Sequence, residues 1–353
     1  MVDPETRAGR PTLADVAERA GVSPSTASLA FSGSGPVSDA TRERVLAAAA
    51  ELDYAGPDPR AASLRRGRSG IVGAVVGGRI RDSFRDPVMV QLLDGLAEEL
   101  GEAGAGLLLL NDAEDGVAKL SNAPMDGVVL IGCSPVLDTT VHILTRRGMP
   151  VVSIEGHEGL GVPDVGVDNR GGSREIAQHL ADLGHRDVAV VALHLDESRI
   201  RGPITAEGEA TATTVPTIDR LAGARDVYPD VPVFVTAGSS LEEGRTAAHE
   251  LLDVAPDLRP TAIIAQSDLL AAGVIRAAGE LGIAIPEELS VVGFDGIRVD
   301  GLDDDLTTVW QPSREKGAAA GRAVIAMLDG RDPAPESFGV RFHRGATTAP
   351  PAR

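Results

Sequence analysis

A short stretch near the start of the chain sets hydroxyls, one proline and two leucines at spacings suited to contacts along a nucleic-acid groove. The stretch is TLADVAERAGVSPSTASLAF, residues 12–31. Thr12 can cap a first helix, with Asp15 three residues on to complement the free N–H groups. Leu13, Val16, Ala17 and Ala20 recur at helical spacing. Gly21 supplies a turn. Ser23 can cap a second helix, and Pro24 takes its first position, where a missing N–H is harmless. Ala27, Ala30 and Phe31 continue the apolar face. Two short helices about a glycine turn read either as an ordinary αα corner or as a helix-turn-helix, whose second helix enters the DNA major groove. On the second reading Ser25 and Ser28 hydrogen-bond a base or a phosphate. Arg65, Arg66 and Arg68 follow as a cationic cluster suited to phosphates.

Catalysis finds no comparable foothold. The chain lacks G-x-G-x-x-G after its first apolar run, G-x-x-x-x-G-K-[ST], G-x-S-x-G and H-E-x-x-H. Its seven histidines are scattered. His185 ends a helical segment and reads as a structural cap. A single cysteine, Cys133, excludes an intramolecular disulfide and a Cys-based zinc cluster, and reads as a packed thiol. No enzyme, metal or cofactor is expected. No run of about 18 apolar residues occurs, so no membrane helix is expected, and the polar start of the chain points to the cytoplasm. A length of 353 residues, with 43% hydrophobic and 24% charged, gives room for two or three soluble domains. The net charge is −19, yet residues 1–68 hold nine arginines and nine carboxylates. The remainder carries the whole deficit. An acidic body repels DNA at long range and favours specific docking over loose binding.

The elements that must position these groups are legible in the patterning. A third helix is predicted over 39–52, capped by Ser38, with Val45, Leu46, Ala49 and Leu52 packing on the first two helices and Tyr54 closing the core. Two prolines in AGPDPR then break it. From residue 70 apolar runs alternate with helical segments. The runs are 71–76, 106–110, 127–131, 150–154, 187–192, 231–235, 262–265 and 289–294. Helices are predicted at 88–103, 171–184, 241–253 and 268–281, and a last strand leads into a Pro-rich tail. This alternation implies parallel sheets covered on both faces, and eight strands suit two lobes better than one.

These motifs together resemble the LacI/GalR family of bacterial transcription regulators. The matching residues are T-L-A-D-V-A-x-x-A-G-V-S (12–23), G-P-V-S-x-x-T-R-E-R-V-L-x-A-A-x-E-L-x-Y (35–54) and P-x-P-R-A-A-S-L (57–64). Further matches are G-V-D-N-x-x-G (166–172), H-L-x-x-L-G-H-R (179–186), S-V-V-G-F-D (290–295) and L-T-T-V-x-Q-P (306–312). The resemblance spans nearly the whole chain, residues 195–219 apart. It implies an α/β fold with an all-α helix-turn-helix head and a bilobed periplasmic-binding-protein-like effector domain of two parallel α/β lobes. The implied limits are 1–56 for the head, 57–68 for a hinge linker and 69–353 for the effector and dimerisation domain. Within that domain, lobe 1 takes about 69–165 and 297–325, and lobe 2 about 166–296 and 326–353.

The same resemblance implies roles. Pro24, Ser25 and Leu29 occupy the positions that reach base edges, with Thr12, Ser23, Thr26 and Ser28 around them. Leu29 stands where the family commonly has an arginine that pairs with guanine; a leucine offers only apolar contact, as to a thymine methyl. In the linker, Leu64 matches a leucine wedged into the central base step, and Ala61 the small residue that lets two linker helices meet. Arg65 and Arg66 meet phosphates. Arg220, Ser267 and Asp295 match effector-binding positions, with Asp168, Asp268 and Gln311 as second choices. Phe84 and Asp86 are candidates on the opposite lobe, and Trp310 stacks on a ligand ring or packs at the hinge. Arg199 or Arg201 can substitute for Arg220. The implied protein is a homodimeric repressor, tied to a palindromic operator and answering to a small molecule, a sugar or sugar derivative. The alternative is a periplasmic-type solute-binding protein without a DNA role. No leucine heptad at the C-terminus supports a tetramer.

Overall fold

The computed structural model describes residues 11–33, 35–56, 67–111, 120, 122–132, 138–156, 161–302 and 305–352. Ala61, Leu64, Arg65, Arg66 and Cys133 lie outside the described residues. The chain divides into two compact units, Met1–Ser69 and Gly70–Arg353.

The first unit holds α1 (Leu13–Ala20), α2 (Pro24–Ser32) and α3 (Asp39–Glu51). A capping box opens α1: Asp15 N–H donates to Thr12 Oγ1, and Thr12 N–H to Asp15 Oδ2 at 2.7 Å. Gly21 closes it at φ 67°, a left-handed turn that favours glycine. Ser23 and Ser38 cap α2 and α3. Val16, Ala17, Ala27, Ala30, Val45, Ala48 and Ala49 form the buried core. Phe31 and Tyr54 meet edge to face at 5.7 Å. Leu46 departs from its predicted place and is 45% exposed. The buried stripe of α3 runs through Val45, Ala48 and Ala49, and Leu46 lies one helical step off it.

The second unit begins with β1 (Ile71–Val76), α4 (Ile80–Ser83), α5 (Pro87–Glu102), β2 (Gly106–Asn111), β3 (Gly127–Ile131), α6 (Asp138–Arg146), β4 (Val151–Ile154) and β5 (Asp164–Val167). The chain continues through α7 (Asn169–Asp182), β6 (Val188–Ala192), β7 (Gly202–Pro203), α8 (Ala206–Ala210), α9 (Val215–Arg225) and β8 (Val233–Val235). Next come α10 (Leu241–Leu252), β9 (Ala262–Ala265), α11 (Asp268–Glu280), β10 (Ser290–Val292) and β11 (Thr308–Trp310). The last elements are α12 (Ser313–Leu328), β12 (Glu336–Phe338) and β13 (Arg341–His343).

One sheet has the order β12-β5-β4-β3-β1-β2, with every pairing parallel. The other has the order β10-β9-β6-β8-β7, parallel except for β7 against β8. All eight predicted apolar runs become strands; β5 and β12 lack such a run and were not foreseen. Within the divergent segment lie β7 and α8.

The lobe limits need correction. Residues 297–310 stay with the second sheet, because Gly293 N–H and Asp295 N–H donate to Thr307 and Val309 carbonyls at 2.9 and 2.8 Å. The chain returns to the first lobe at α12, which packs along α5, and remains there through β12, which pairs with β5. A Cβ at Gly317 would lie 1.9 Å from Leu92 O, so the α5–α12 contact needs glycine for its closeness. The third crossing falls near Gly339 rather than 326, and the tail returns to the second lobe, where Val291 N–H donates to Thr347 O at 2.9 Å.

Candidate functional site

Strand C-termini of the two sheets, with the helix starts that follow them, supply the groups expected of a ligand cleft. Glu155 follows β4, Asn169 opens α7, Asp295 follows β10 and Gln311 follows β11. Arg220 comes from the buried face of α9 and Lys316 from that of α12. These six side chains close a ring that joins the lobes. Lys316 Nζ donates to Glu155 Oε2 at 2.9 Å and to Gln311 Oε1 at 2.6 Å. Gln311 Nε2 donates to Asp295 Oδ1 at 2.6 Å. Arg220 Nη1 reaches the same oxygen at 3.4 Å, and its Nε donates to Asn169 Oδ1 at 2.8 Å. Asn169 Nδ2 completes the circuit on Glu155 Oε1 at 2.7 Å. Arg220 also donates to Gln266 O, and its guanidinium lies 3.7 Å over the Phe294 ring.

Lys316 is fully buried and Arg220 is 4% exposed. Such cations are tolerated only when paired and fully hydrogen-bonded, as they are here. Both ring carboxylates stand on left-handed backbone, Glu155 at φ 52° and Asp295 at φ 128°, a strained geometry for residues with a Cβ. Burial pushes Glu155 upward, but Lys316, Arg220 and the Asn169 hydrogen bond outweigh it and hold its carboxyl below the usual value. Burial drives Asp295 up, against the pull of Arg220.

The predicted residues divide into those the structure gathers and those it employs elsewhere. Arg220, Asp295 and Gln311 meet. Asp86 caps α5 by accepting from Val88 N–H at 2.9 Å, and burial raises its carboxyl while Arg220 opposes. Phe84 is 66% exposed at the end of α4. Arg201 is engaged with Glu243 at 2.6 Å, and Arg199 donates to Ala237 O at 3.1 Å, so neither substitutes for Arg220 at Asp295. Asp168 is a correction: its carboxylate is exposed and caps α7 through Gly171 N–H, and its neighbour Asn169 enters the ring instead. Ser267 caps α11 through Leu270 N–H at 3.2 Å. Asp268 accepts from Thr308 Oγ1 at 2.6 Å and Ile297 N–H at 2.8 Å, pinning the loop that carries Asp295. Trp310 faces away from the ring; Arg341 stacks on it at 4.1 Å, and both line an outer groove with Arg298 and Leu302. His185 is no cap but a buried tie between Thr261 and Ser290.

Glu155, Asn169 and Lys316 were missed by sequence reasoning. Lys316 had a signal, being one of two lysines and set among alanines and glycines. His194, two residues past β6, was missed as well. Its Nδ1 is buried without a partner among the described residues, and burial lowers its pKa to about 4, so the ring is neutral.

Asp268 carries a testable consequence. Burial raises its carboxyl to about 6. A raised carboxyl contributes stability that is full below its unfolded value, about 4, and is lost as pH rises through the folded value. Asp268→Asn is expected to flatten the dependence of melting temperature on pH between about 4 and 6; an unchanged profile would show that Asp268 does not titrate there.

On the head, α2 presents Pro24, Ser25 and Leu29 outward, with Thr26 and Ser28 half-buried. Thr12 Oγ1 is engaged with Asp15 at 2.8 Å. Among the described residues no helix is long and apolar enough to cross a membrane.

A helix-turn-helix head with a two-lobed α/β unit closed over a buried polar ring defines a ligand-responsive, DNA-binding transcription regulator. Residues 12–56 match the bacterial regulatory proteins of the lacI family, and 177–348 the periplasmic binding protein-like domain. The chain is 33% identical to the HTH-type transcriptional regulator IpsA of Corynebacterium glutamicum, over 96% of this chain and 98% of that one. It resembles the solved transcriptional regulator CelR–cellobiose complex at 28% identity and TM-score 0.66, covering 96% and 100% of the two chains. The operator-bound lac repressor dimer shares the fold at TM-score 0.76 and 23% identity, over 96% and 99%. The chain belongs to the LacI family of bacterial transcription regulators, which are regulators and not enzymes.

Proposed function

We propose that two copies of this chain hold a palindromic operator and repress transcription there, and that a neutral polyol, a sugar or sugar derivative, bound between the lobes sets the affinity. The carrying observation is the 3.4 Å approach of Arg220 to Asp295, the longest link in the ring. Charge-assisted hydrogen bonds ordinarily close to about 2.8 Å. A ligand hydroxyl, donor and acceptor at once, can part the two and bond both. Gln311, Asp86 and the neutral His194 supply further polar contacts, and exposed Phe84 a face for a sugar ring. Asp168, Ser267, Asp268 and Trp310 act by positioning. Because the ring spans the lobes, replacing one of its links shifts the angle between them, and that shift reaches the DNA-binding heads through residues 57–68.

On DNA, α2 lies in the major groove, with Thr12, Ser23 and Thr26 at the phosphates. Linker helices meet over the minor groove through Ala61, insert Leu64 and set Arg65 and Arg66 on the backbone.

The test is selection of bound duplexes from genomic fragments, followed by sugar titration of the complex, with cellobiose first because the CelR complex holds it. The expected result is a palindrome with a central pyrimidine–purine step whose affinity changes with one sugar. Failure to enrich any fragment, with or without sugars, would overturn the reading.

A further inference from the structure

The chemistry left on the outward face of α2 narrows what the helix can read. Its whole sequence is PSTASLAFS, without a charged or amide side chain. Discrimination among base pairs in the major groove ordinarily uses Arg or Lys on guanine, Asn or Gln on adenine, and Asp or Glu on cytosine. None is present. Hydroxyls bond any base edge and discriminate weakly. Pro24, Ser25, Ser28 and Leu29 cover one continuous arc of the helix, while Ala27 and Ala30 face the core. The apolar members of that arc are Pro24 and Leu29. Leu29 is 36% exposed and lies against Gly35, where a Cβ would come within 3.1 Å of Leu29 Cδ2. Its isobutyl group is therefore braced from behind and offered forward. The arginines after residue 56 serve phosphates and carry no base selectivity, and charge within the three-helix span adds little. Residues 11–56 hold three arginines against six carboxylates, and Arg19 is already paired with Glu51 at 2.5 Å.

From this face we infer that the regulator reads its operator half-sites through the C5-methyl groups of thymine, with Leu29 as the specificity-determining residue. The inference rests on α2 being the DNA-reading helix. Thymine is the base that carries an apolar group in the major groove, and burying a methyl against leucine removes both from water. Burial of one such group corresponds to about a four-fold change in affinity, and a palindrome presents two, so about fifteen-fold is expected.

The experiment begins with selection from a random duplex pool by the full chain at fixed salt. The enriched duplex is then remade with uracil, which lacks the methyl, in place of each half-site thymine in turn. Affinities are measured for the natural chain and for Leu29→Ala, which removes an exposed side chain and leaves the core intact; circular dichroism checks its folding. The expected result is A·T pairs under α2, a loss of about fifteen-fold on double uracil substitution, and no such loss for Leu29→Ala. Equal binding of thymine and uracil duplexes by the natural chain would overturn methyl reading while leaving DNA binding intact. A uracil penalty that persists in Leu29→Ala would remove Leu29 from the contact. Failure to enrich any duplex would overturn the DNA-reading assignment of α2, and the inference with it.

Discussion

Arg220→Met is expected to destabilise the two-lobed unit by about 3–5 kcal/mol, the cost of leaving buried acceptors without their donor. The side chain is 4% exposed, and solvent does not screen its interactions. Methionine fills a similar volume but leaves two acceptors bare, Asn169 Oδ1 and Gln266 O, while Asp295 Oδ1 keeps its bond from Gln311. Each unsatisfied buried group costs about 1–3 kcal/mol. For a unit of this size the melting temperature is expected to fall by roughly 6–12 °C. Calorimetry on the full chain reads this directly. Asp295→Asn in the Arg220→Met background separates the electrostatic part: burial already pushes Asp295 up to about 8, so the double variant is expected to be the more stable of the two only above that pH. The coupling in that double-mutant cycle should exceed about 1 kcal/mol. Additive losses would mean that the 3.4 Å approach is mere proximity. The head folds on its own core of Val16, Ala27, Val45 and neighbours, so the variant is expected to keep its affinity for DNA and lose its response to a sugar.

The elements were more legible than the contacts they make. Apolar runs such as IVGAVV and AIIA announce buried parallel strands because both faces are covered and alternation disappears. The resemblance supplied Asp295 and Gln311, and the structure sets both just past strand ends, where ligands gather in such sheets. Capping chemistry misled the rest. Asp86, Asp168 and Ser267 are the residue types that serve a ligand and equally those that begin a helix, and in each case the structure shows the side chain on a backbone N–H. The position after the cap, Asn169, enters the ring, and a one-residue offset of this kind leaves no mark on composition. Lobe limits failed for a related reason. The third crossing is fixed by β12 pairing with β5, and the three residues Glu336–Phe338 are too short and too exposed to carry an apolar pattern. In the head, where three helices pack locally, the reading held except at Leu46.

Lys316→Met is expected to reverse the sign of Glu155's contribution to the protein's response to mild acid. In the natural chain Glu155 is held ionised by Lys316, Arg220 and the hydrogen bond from Asn169, against the effect of burial. A lowered carboxyl contributes stability that is present above its unfolded value, about 4.3, and is lost as pH falls through the lower folded value. Between pH 7 and 5 Glu155 therefore gives the natural chain no reason to gain from added protons. Removing the lysine deletes the largest attraction at Glu155 and leaves burial in control, so its carboxyl rises. The sign then inverts: a raised carboxyl destabilises at neutral pH, and stability returns as pH falls toward its unfolded value. The variant is expected to lose about 3–5 kcal/mol at pH 7, because Glu155 and Gln311 Oε1 are left buried without their donor. It should then regain part of that loss on acidification to pH 5, over and above the gain that Asp268 and Asp295, both raised by burial, give either chain. Melting temperatures of both chains across pH 5–8 decide the matter. Parallel profiles would mean that Lys316 fills space without holding Glu155 ionised. The Lys316→Met, Glu155→Gln double variant supplies the control: with no carboxylate to strand, its profile should run parallel to that of the natural chain and its loss at pH 7 should be smaller. Lys316 thereby ties β4 to α12 through Glu155, and through Gln311 and Asp295 it ties both to the second lobe.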